Sequence, residues 1–338
     1  MKNLSIFNKL LYVINYIFAI LLLLGYLIPF IKPSISYNFS VLSLLIPVLI
    51  SINFLFIFYW IFQFKKNFLV SVFILGIGFL ISSPLYKFTA NNSKSTNKIS
   101  IMNYNVRLFN AYNWFKEKDI PNLMKTFFKQ ENPDILCVQE YHPKGKDIIN
   151  YPFEYIKTNS ASKKFGQAIF SKYKIINQGA LNFKNTQNNA IFADIVKDRD
   201  TIRIYNLHIE SLRLNPNKQN FGEKSTEKLL TRLTKGFVKQ QKQVEQILAH
   251  QKKCKFPILV AGDFNNTAYS WVYKALKGNF KDSYLQAGSG FGKTFEIKNF
   301  PMRIDFIFAD KIFTINKHKN YKIKYSDHFP IMATISLD

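Results

Sequence analysis

Three long apolar runs open the chain: Leu10–Ile31, Val41–Phe62 and Phe68–Leu85, none carrying a charged residue. At about 1.5 Å rise per residue, against a hydrocarbon core of about 30 Å, each is a candidate transmembrane helix. A signal peptide would need a shorter apolar core and a small-residue cleavage site, and no clear one precedes Lys32. The expectation is a membrane anchor over residues 1–87, with three helices at about 10–31, 41–62 and 68–85 and the lipid bilayer as partner. Residues 88–98 are small, polar and turn-prone, the texture of a linker. From residue 99 to 338 the pattern changes. Ser100–Leu108 alternates like a strand, and Asp134–Glu140 is nearly continuous in apolar residues, as in a strand buried on both faces. Further strands are expected at 166–171, 190–196, 201–209, 257–261, 302–309 and 331–337. Helical spacing marks 117–131 and 226–252. Many strands and few helices predict an α/β domain of two packed sheets with helices outside.

Charge sharpens that division. The 338 residues carry 46 Lys+Arg against 21 Asp+Glu, a net charge of +25. Residues 1–96 hold seven lysines and no acid, which leaves 39 bases and all 21 acids to the remainder. With 48% hydrophobic and 20% charged residues, a disordered chain is excluded. Two cysteines, Cys137 and Cys254, exclude a disulfide scaffold, a Cys-rich zinc module and a CxxC redox site. The lysine excess suits nucleic acid, or anionic headgroups near a membrane, or a plain compositional bias in which Asn, Ile and Phe are also abundant. Lys2, Lys9, Lys65 and Lys66 fall on one side of a three-span bundle, and Lys32 and Lys87 on the other. That bias favours a cytoplasmic N-terminus and places the C-terminal domain outside the cytoplasm, on a multi-pass protein of the cell (inner) membrane. Counting Lys94 and Lys98 evens it.

Chemistry-bearing residues gather at strand ends. Glu140 closes its apolar strand, and Asp263 and Asn265 follow Pro257–Gly262. Asn103 and Asn105 share a two-residue spacing that puts both on one strand face. His208 ends another strand, Asp305 opens the next, and Asp327 and His328 precede the last. Any one of them would pass as a turn or cap residue. Three Asp, one Glu, two His and three Asn bordering apolar strands in a basic domain form a constellation. Its acidic oxygen donors point to Mg²⁺ or Mn²⁺ rather than zinc.

Six motifs stand in order: Asn103-Tyr-Asn-Val-Arg107, Val138-Gln-Glu140, Asn206-Leu-His208, Gly262-Asp-Phe-Asn265, Arg303-Ile-Asp305 and Ser326-Asp-His-Phe-Pro330. Together they resemble the endonuclease/exonuclease/phosphatase superfamily, which includes DNase I-like nucleases, abasic-site endonucleases, neutral sphingomyelinases and inositol-polyphosphate 5-phosphatases. The resemblance covers residues 99–338. It implies a four-layer α/β sandwich, with two packed mixed β-sheets flanked by helices, and divalent-metal-dependent hydrolysis of phosphoesters. By the same resemblance, Glu140 is the principal metal ligand, with Asn105 beside it and Asp327 at the metal or its waters. His328 would hold the scissile phosphate or act as base, and Asp305 would orient it. Asp263 would position the attacking water or protonate the leaving oxygen, and Asn265 would bind a non-bridging oxygen. His208 stands where abasic-site endonucleases have tyrosine, which argues against that branch. Nucleic acid is the leading substrate, and a phospholipid, sphingomyelin or inositol-phosphate headgroup the alternative. No protein partner is deducible. One stretch, Ala287-Gly-Ser-Gly-Phe-Gly-Lys-Thr294, nearly spells a phosphate-binding P-loop, but the first Gly is missing and no helix pattern follows. A loop at the rim of the cleft is expected there.

Overall fold

Period-two alternation after residue 97 becomes two six-stranded sheets in the computed structural model, which describes residues 5–90, 97–115, 119–158, 165–213, 223–297 and 300–337. Most of the expected linker, with Lys94, therefore lies outside the described residues, as do Lys2 and the start of the expected helix at 117. In spatial order, the first sheet holds β13 (Phe313–Asn320), β14 (Ile331–Leu337), β1 (Lys98–Asn105), β2 (Ile135–Tyr141), β4 (Gly166–Ser171) and β3 (Phe153–Thr158). The second holds β5 (Lys174–Ala180), β6 (Asn189–Lys197), β7 (Asp200–His208), β8 (Ile258–Asp263), β12 (Asp305–Ala309) and β9 (Lys281–Asp282). Both are mixed: β1–β2 and β7–β8 run parallel, and the other pairs antiparallel. A short hairpin joins β10 (Phe295–Ile297) to β11 (Phe300–Met302).

Alternation decides what each face buries. Ile99, Ile101, Ile135, Cys137 and Ile169 of the first sheet pack against Ile191, Ile195, Ile204, Leu259 and Ile307 of the second. Each such side chain contributes about 1.5–3 kcal/mol by leaving water. The opposite face of the first sheet, with Met102, Tyr104, Leu136 and Val138, is covered by Met124, Phe127 and Phe128 of α5 (Ile120–Glu131). Pro121 fits the first turn of that helix, where no intrahelical N–H donor is needed. On the second sheet's outer face Tyr205 donates to or accepts from His250 at 2.7 Å. That histidine lies at the end of α6 (Glu223–Gln251). Both cysteines are free.

The strands that escaped the pattern are β3, β5, β13 and the short β9 and β10. β3, β5 and β13 are sheet edges, mostly half-buried or exposed where β3 and β5 are concerned, so their side chains carry little apolar alternation. The expected strand 302–309 is interrupted at Arg303 and Ile304, between β11 and β12.

The apolar N-terminal helices are shorter than expected. α1 (Ile6–Gly25) continues through a 3₁₀ turn to Phe30 and is, among the described residues, the one helix long and apolar enough to cross a membrane by length and composition. The span expected over 41–62 is divided. A six-residue α2 (Tyr37–Leu42) ends before the turn at Ser43–Leu45, and the 17-residue α3 (Ile46–Phe62) restarts with Pro47 in its first turn. The span expected over 68–85 stops at Ile81 as the 14-residue α4 (Phe68–Ile81), because Ser82 is extended and Pro84 follows. These two reach about 26 Å and 21 Å at 1.5 Å per residue.

By its contacts the chain divides into two compact units: Met1–Leu85 with Gly222–Gln241 and Thr267–Ala275, and Tyr86–Phe221 with Lys242–Asn266 and Leu276–Asp338. Inside the first unit polar groups are buried beside an apolar cluster that includes Leu22, Ile46 and Leu49. Asn15, Asn53, Ser71 and Trp60 are fully buried, while Ile6, Phe62, Phe79 and Leu80 are about four-fifths exposed. The buried groups satisfy one another: Asn15 Nδ2 donates to Ser71 Oγ (2.8 Å), Ser71 Oγ to Asn53 Oδ1 (3.0 Å) and Trp60 Nε1 to Asn15 Oδ1 (3.0 Å).

Candidate active site

All eight predicted site residues lie in the second unit, at one end of the two packed sheets. The two-residue period that aims Ile101 into the space between the sheets also aims Asn103 and Asn105 there, further along β1. His208 on β7 and Asp305 on β12 are both direct register partners of Asp263 on the intervening β8. Two carboxylates facing each other across adjacent strands repel. His328 answers that repulsion: its Nδ1 lies 2.9 Å from Asp305 Oδ2 and its Nε2 3.6 Å from Asp263 Oδ2. Burial disfavours the imidazolium, but Asp305 and Asp263 outweigh it and raise the His328 pKa well above the usual imidazole range. Burial, with Asp305 adding to it, raises Asp263. His208, 3.8 Å from Asp263, is pushed down to about 3 by burial and the charge on His328, so it is neutral at pH 7.

Glu140 reaches this end of the sheets through a β-bulge. Simple alternation would send it toward α5 with Leu136 and Val138. Instead Gln139 pairs with Gln167 and Tyr141 with Gly166, which leaves Glu140 unpaired and at φ 49°. Asn105 Nδ2 donates to Glu140 Oε1 (3.3 Å) and to Asp263 Oδ2 (3.1 Å). Its Oδ1 accepts the Arg107 N–H (3.1 Å), so a cation would use the remaining lone pair of that oxygen. Ser326 Oγ donates to the Asn105 carbonyl (2.8 Å) and fixes the segment that bears Asp327. Burial, then Asp327, push the Glu140 carboxyl above its ordinary range, against His328, Asn105 and Arg107. Asn265 lies past the end of β8 at φ 48°. Its N–H donates to Asp263 Oδ1 (2.8 Å) and its Nδ2 to the Ile209 carbonyl (2.9 Å).

Three features were not legible beforehand. A buried amide relay joins the sheets. In it Gln139 Nε2 donates to Asn103 Oδ1 (2.8 Å) and Asn206 Oδ1 (2.6 Å), and Asn103 Nδ2 to Asp305 Oδ1 (3.2 Å). The near-P-loop stretch has a positioning role, since Thr294 Oγ1 accepts the Ile304 and Asp305 N–H groups (3.0 and 3.1 Å) and its carbonyl accepts Phe329 N–H (2.7 Å). Gly290 within it exchanges two backbone hydrogen bonds with Lys87, so this loop is tied down.

Arg107 is the third. Residues 107–110 all have φ between 42° and 57°, a left-handed turn without glycine, which is conformationally costly. It brings the guanidinium to 2.8 Å from Asp327 Oδ2 and 4.8 Å from the Trp114 ring centroid. Arg107→Ala is therefore expected to lower kcat/KM by about tenfold or more in steady-state assays, with Arg107→Lys recovering only part. An ammonium cannot both stack on the ring and fork toward a carboxylate.

Fold and site together define a two-sheet α/β hydrolase with an acid–histidine centre at its strand ends. The chain belongs to the endonuclease/exonuclease/phosphatase family, whose profile matches residues 102–328. Members of that family hydrolyse phosphoester bonds with a divalent metal. Residues 8–85 match a second family, described as a domain of unknown function (DUF8431). No curated protein matches the chain. Among solved structures, a humanized D. rerio TDP2 with 14 mutations has a TM-score of 0.54 at 18% identity, covering 71% of this chain and 99% of its own. An endonuclease/exonuclease/phosphatase from Bacteroides vulgatus has 0.54 at 17%, covering 72% and 100%. The human Nocturnin catalytic domain, with bound sulfate, has 0.51 at 17%, covering 72% and 94%. At these identities the likeness is one of fold.

Proposed function

We propose that this chain is a membrane-anchored, divalent-metal-dependent phosphodiesterase, with nucleic acid as its preferred substrate and a phospholipid, sphingomyelin or inositol-phosphate headgroup as the alternative. The observation that carries the reading is the convergence of Glu140, Asp263, Asp305 and His328 at one strand end. Glu140, Asp327 and Asn105 fit a divalent ion, Mg²⁺ or Mn²⁺. The two carboxylates raise the cost of each other's charge, and the donors are all oxygens. A second cluster, Asp263, Asp305 and His328, also places ligand atoms within 4.8 Å of one another. It fits a cation less well, because both ring nitrogens of His328 face carboxylates and the ring is protonated. When bound, the ion supplies positive charge against the negative charge that develops on the phosphate oxygens.

The chain's own groups supply the rest. Asp305 fixes the ring of His328 through Nδ1–H, and a 3.6 Å gap to Asp263 is too long for a hydrogen bond, which leaves Nε2–H for a phosphate oxygen. Asp263 positions the attacking water or protonates the leaving oxygen. Asn265 binds a non-bridging oxygen, and neutral His208 supplies a further donor. Assaying plasmid DNA and a lipid phosphodiester side by side, with and without EDTA, tests this reading. Hydrolysis of DNA that EDTA abolishes is the expected result; hydrolysis of lipid alone favours the alternative, and no hydrolysis of either removes the enzyme.

The membrane reading rests on the first unit, which buries a network of amides and hydroxyls while exposing many large apolar side chains, the arrangement expected where lipid is the solvent. We place the protein in the cell membrane, anchored through the apolar helix Ile6–Phe30, with residues 99–338 outside the cytoplasm. Alkaline phosphatase fused after Asp338 is then expected to be active and green fluorescent protein dark. The reverse pattern would turn the catalytic domain inward.

A further inference from the structure

His208 has a second neighbourhood. Its far side forms one wall of a cavity of about 120 Å³ at the ends of the two sheets. Thr158 and Gln167 line it from the first sheet, and Asn182, Phe183 and Asn188 from the β5–β6 loop. The loop is preorganised: Asn182 takes φ 53°, and Thr186 Oγ1 donates to Glu210 Oε2 at 2.5 Å. Asn188 Nδ2 donates to the Ile209 carbonyl at 2.9 Å, the same oxygen that Asn265 grips. Cavity wall and reaction centre are therefore held to one backbone atom.

We propose that this cavity is the subsite for the nucleoside adjoining the scissile phosphate. The proposal rests on the phosphodiesterase reading and names the substrate class for it. A space of this size suits one small ring rather than an acyl chain or a drug-sized ligand, which needs about 300 Å³ or more. The exposed side-chain amides of Asn182 and Gln187 offer donors and acceptors together, as a base edge or a ribose requires. Phe165 and Phe183, both among the lining residues, give apolar surface for a ring face. Among the described lining residues Lys157 carries a positive charge and none is a carboxylate, so a choline or ethanolamine headgroup meets repulsion where it needs an anion or an aromatic cage.

The test uses the full chain in detergent and two variants: Thr158→Phe, which fills the cavity, and Gln187→Ala, which removes an exposed lining amide. Equilibrium binding of thymidine, choline and inositol is measured first. Hydrolysis of thymidine 5′-(p-nitrophenyl phosphate), p-nitrophenylphosphorylcholine and methyl p-nitrophenyl phosphate is measured second. Saturable thymidine binding is expected in the wild type and weakened at least tenfold by Thr158→Phe. The kcat/KM ratio of thymidine ester to methyl ester should fall at least tenfold in that variant and severalfold in Gln187→Ala. No thymidine binding, a ratio that neither variant changes, or preferential binding of choline or inositol overturns the subsite even if phosphodiesters are cleaved. Thymidine binding lost in Thr158→Phe, with none of the esters cleaved, upholds the subsite and overturns the phosphodiesterase.

Discussion

Glu140→Gln is expected to leave less than about a tenth of wild-type turnover in Mg²⁺ while the protein stays folded. Removing a charged ligand at this position costs several kcal/mol of transition-state stabilisation. The stability readout separates lost chemistry from lost fold. Burial and Asp327 raise the Glu140 pKa in the folded state, so an ionised Glu140 costs stability at pH values above the ordinary carboxyl range. Glutamine has the same shape, tolerates φ 49° no worse and carries no charge. In EDTA at pH 7, its thermal midpoint should therefore equal or exceed that of the wild type. The gain should fade as the pH drops through the carboxyl range, where the wild-type residue protonates. Turnover above a tenth, at any stability, removes Glu140 from the centre.

His328→Ala and Asp305→Ala form the second test. Nδ1 of the ring lies 2.9 Å from Asp305 Oδ2, and both residues are buried, so on the proposed reading they are expected to act as one group. Either substitution should lower kcat severely, and the double variant should fall no more than about tenfold below the weaker single. Asp305 also faces Asp263 across β12 and β8, and its own replacement leaves His328 with one carboxylate, at 3.6 Å. Asp305→Asn keeps the hydrogen bond to Asn103 within reach and is expected to lose less than Asp305→Ala. Losses that add fully in log kcat would break the pair.

Much of the site could be read before any fold was known, because its residues sit where strands leave the core. A central strand such as 135–141 announces itself by a run of apolar residues, and the acid at its end is conspicuous. Asn103 and Asn105 share one face of their strand because period-two geometry is local. Edge strands β3 and β5 carry no such mark, since most of their residues are half-buried or exposed, and β13 mixes the buried Phe313 and Ile315 with polar residues. Arg107 and Gln139 were hidden for a different reason, since their importance lies in partners far along the chain, Asp327 and Asn206.

By itself the sequence determined which strands form the core, which residue types stand at their ends, and that the first 85 or so residues are apolar and free of acid. Those properties follow from local periodicity and solvation, which neighbouring residues set among themselves. Tertiary structure alone decided that Glu140 turns inward through a bulge, and that residues 107–110 wind left-handed. It also opposed Asp263 to Asp305 with His328 between them, ended the second and third apolar helices at 17 and 14 residues, and left a cavity beside His208. Each of these depends on pairing across long sequence separations, where register and packing outweigh the preferences of the residues involved.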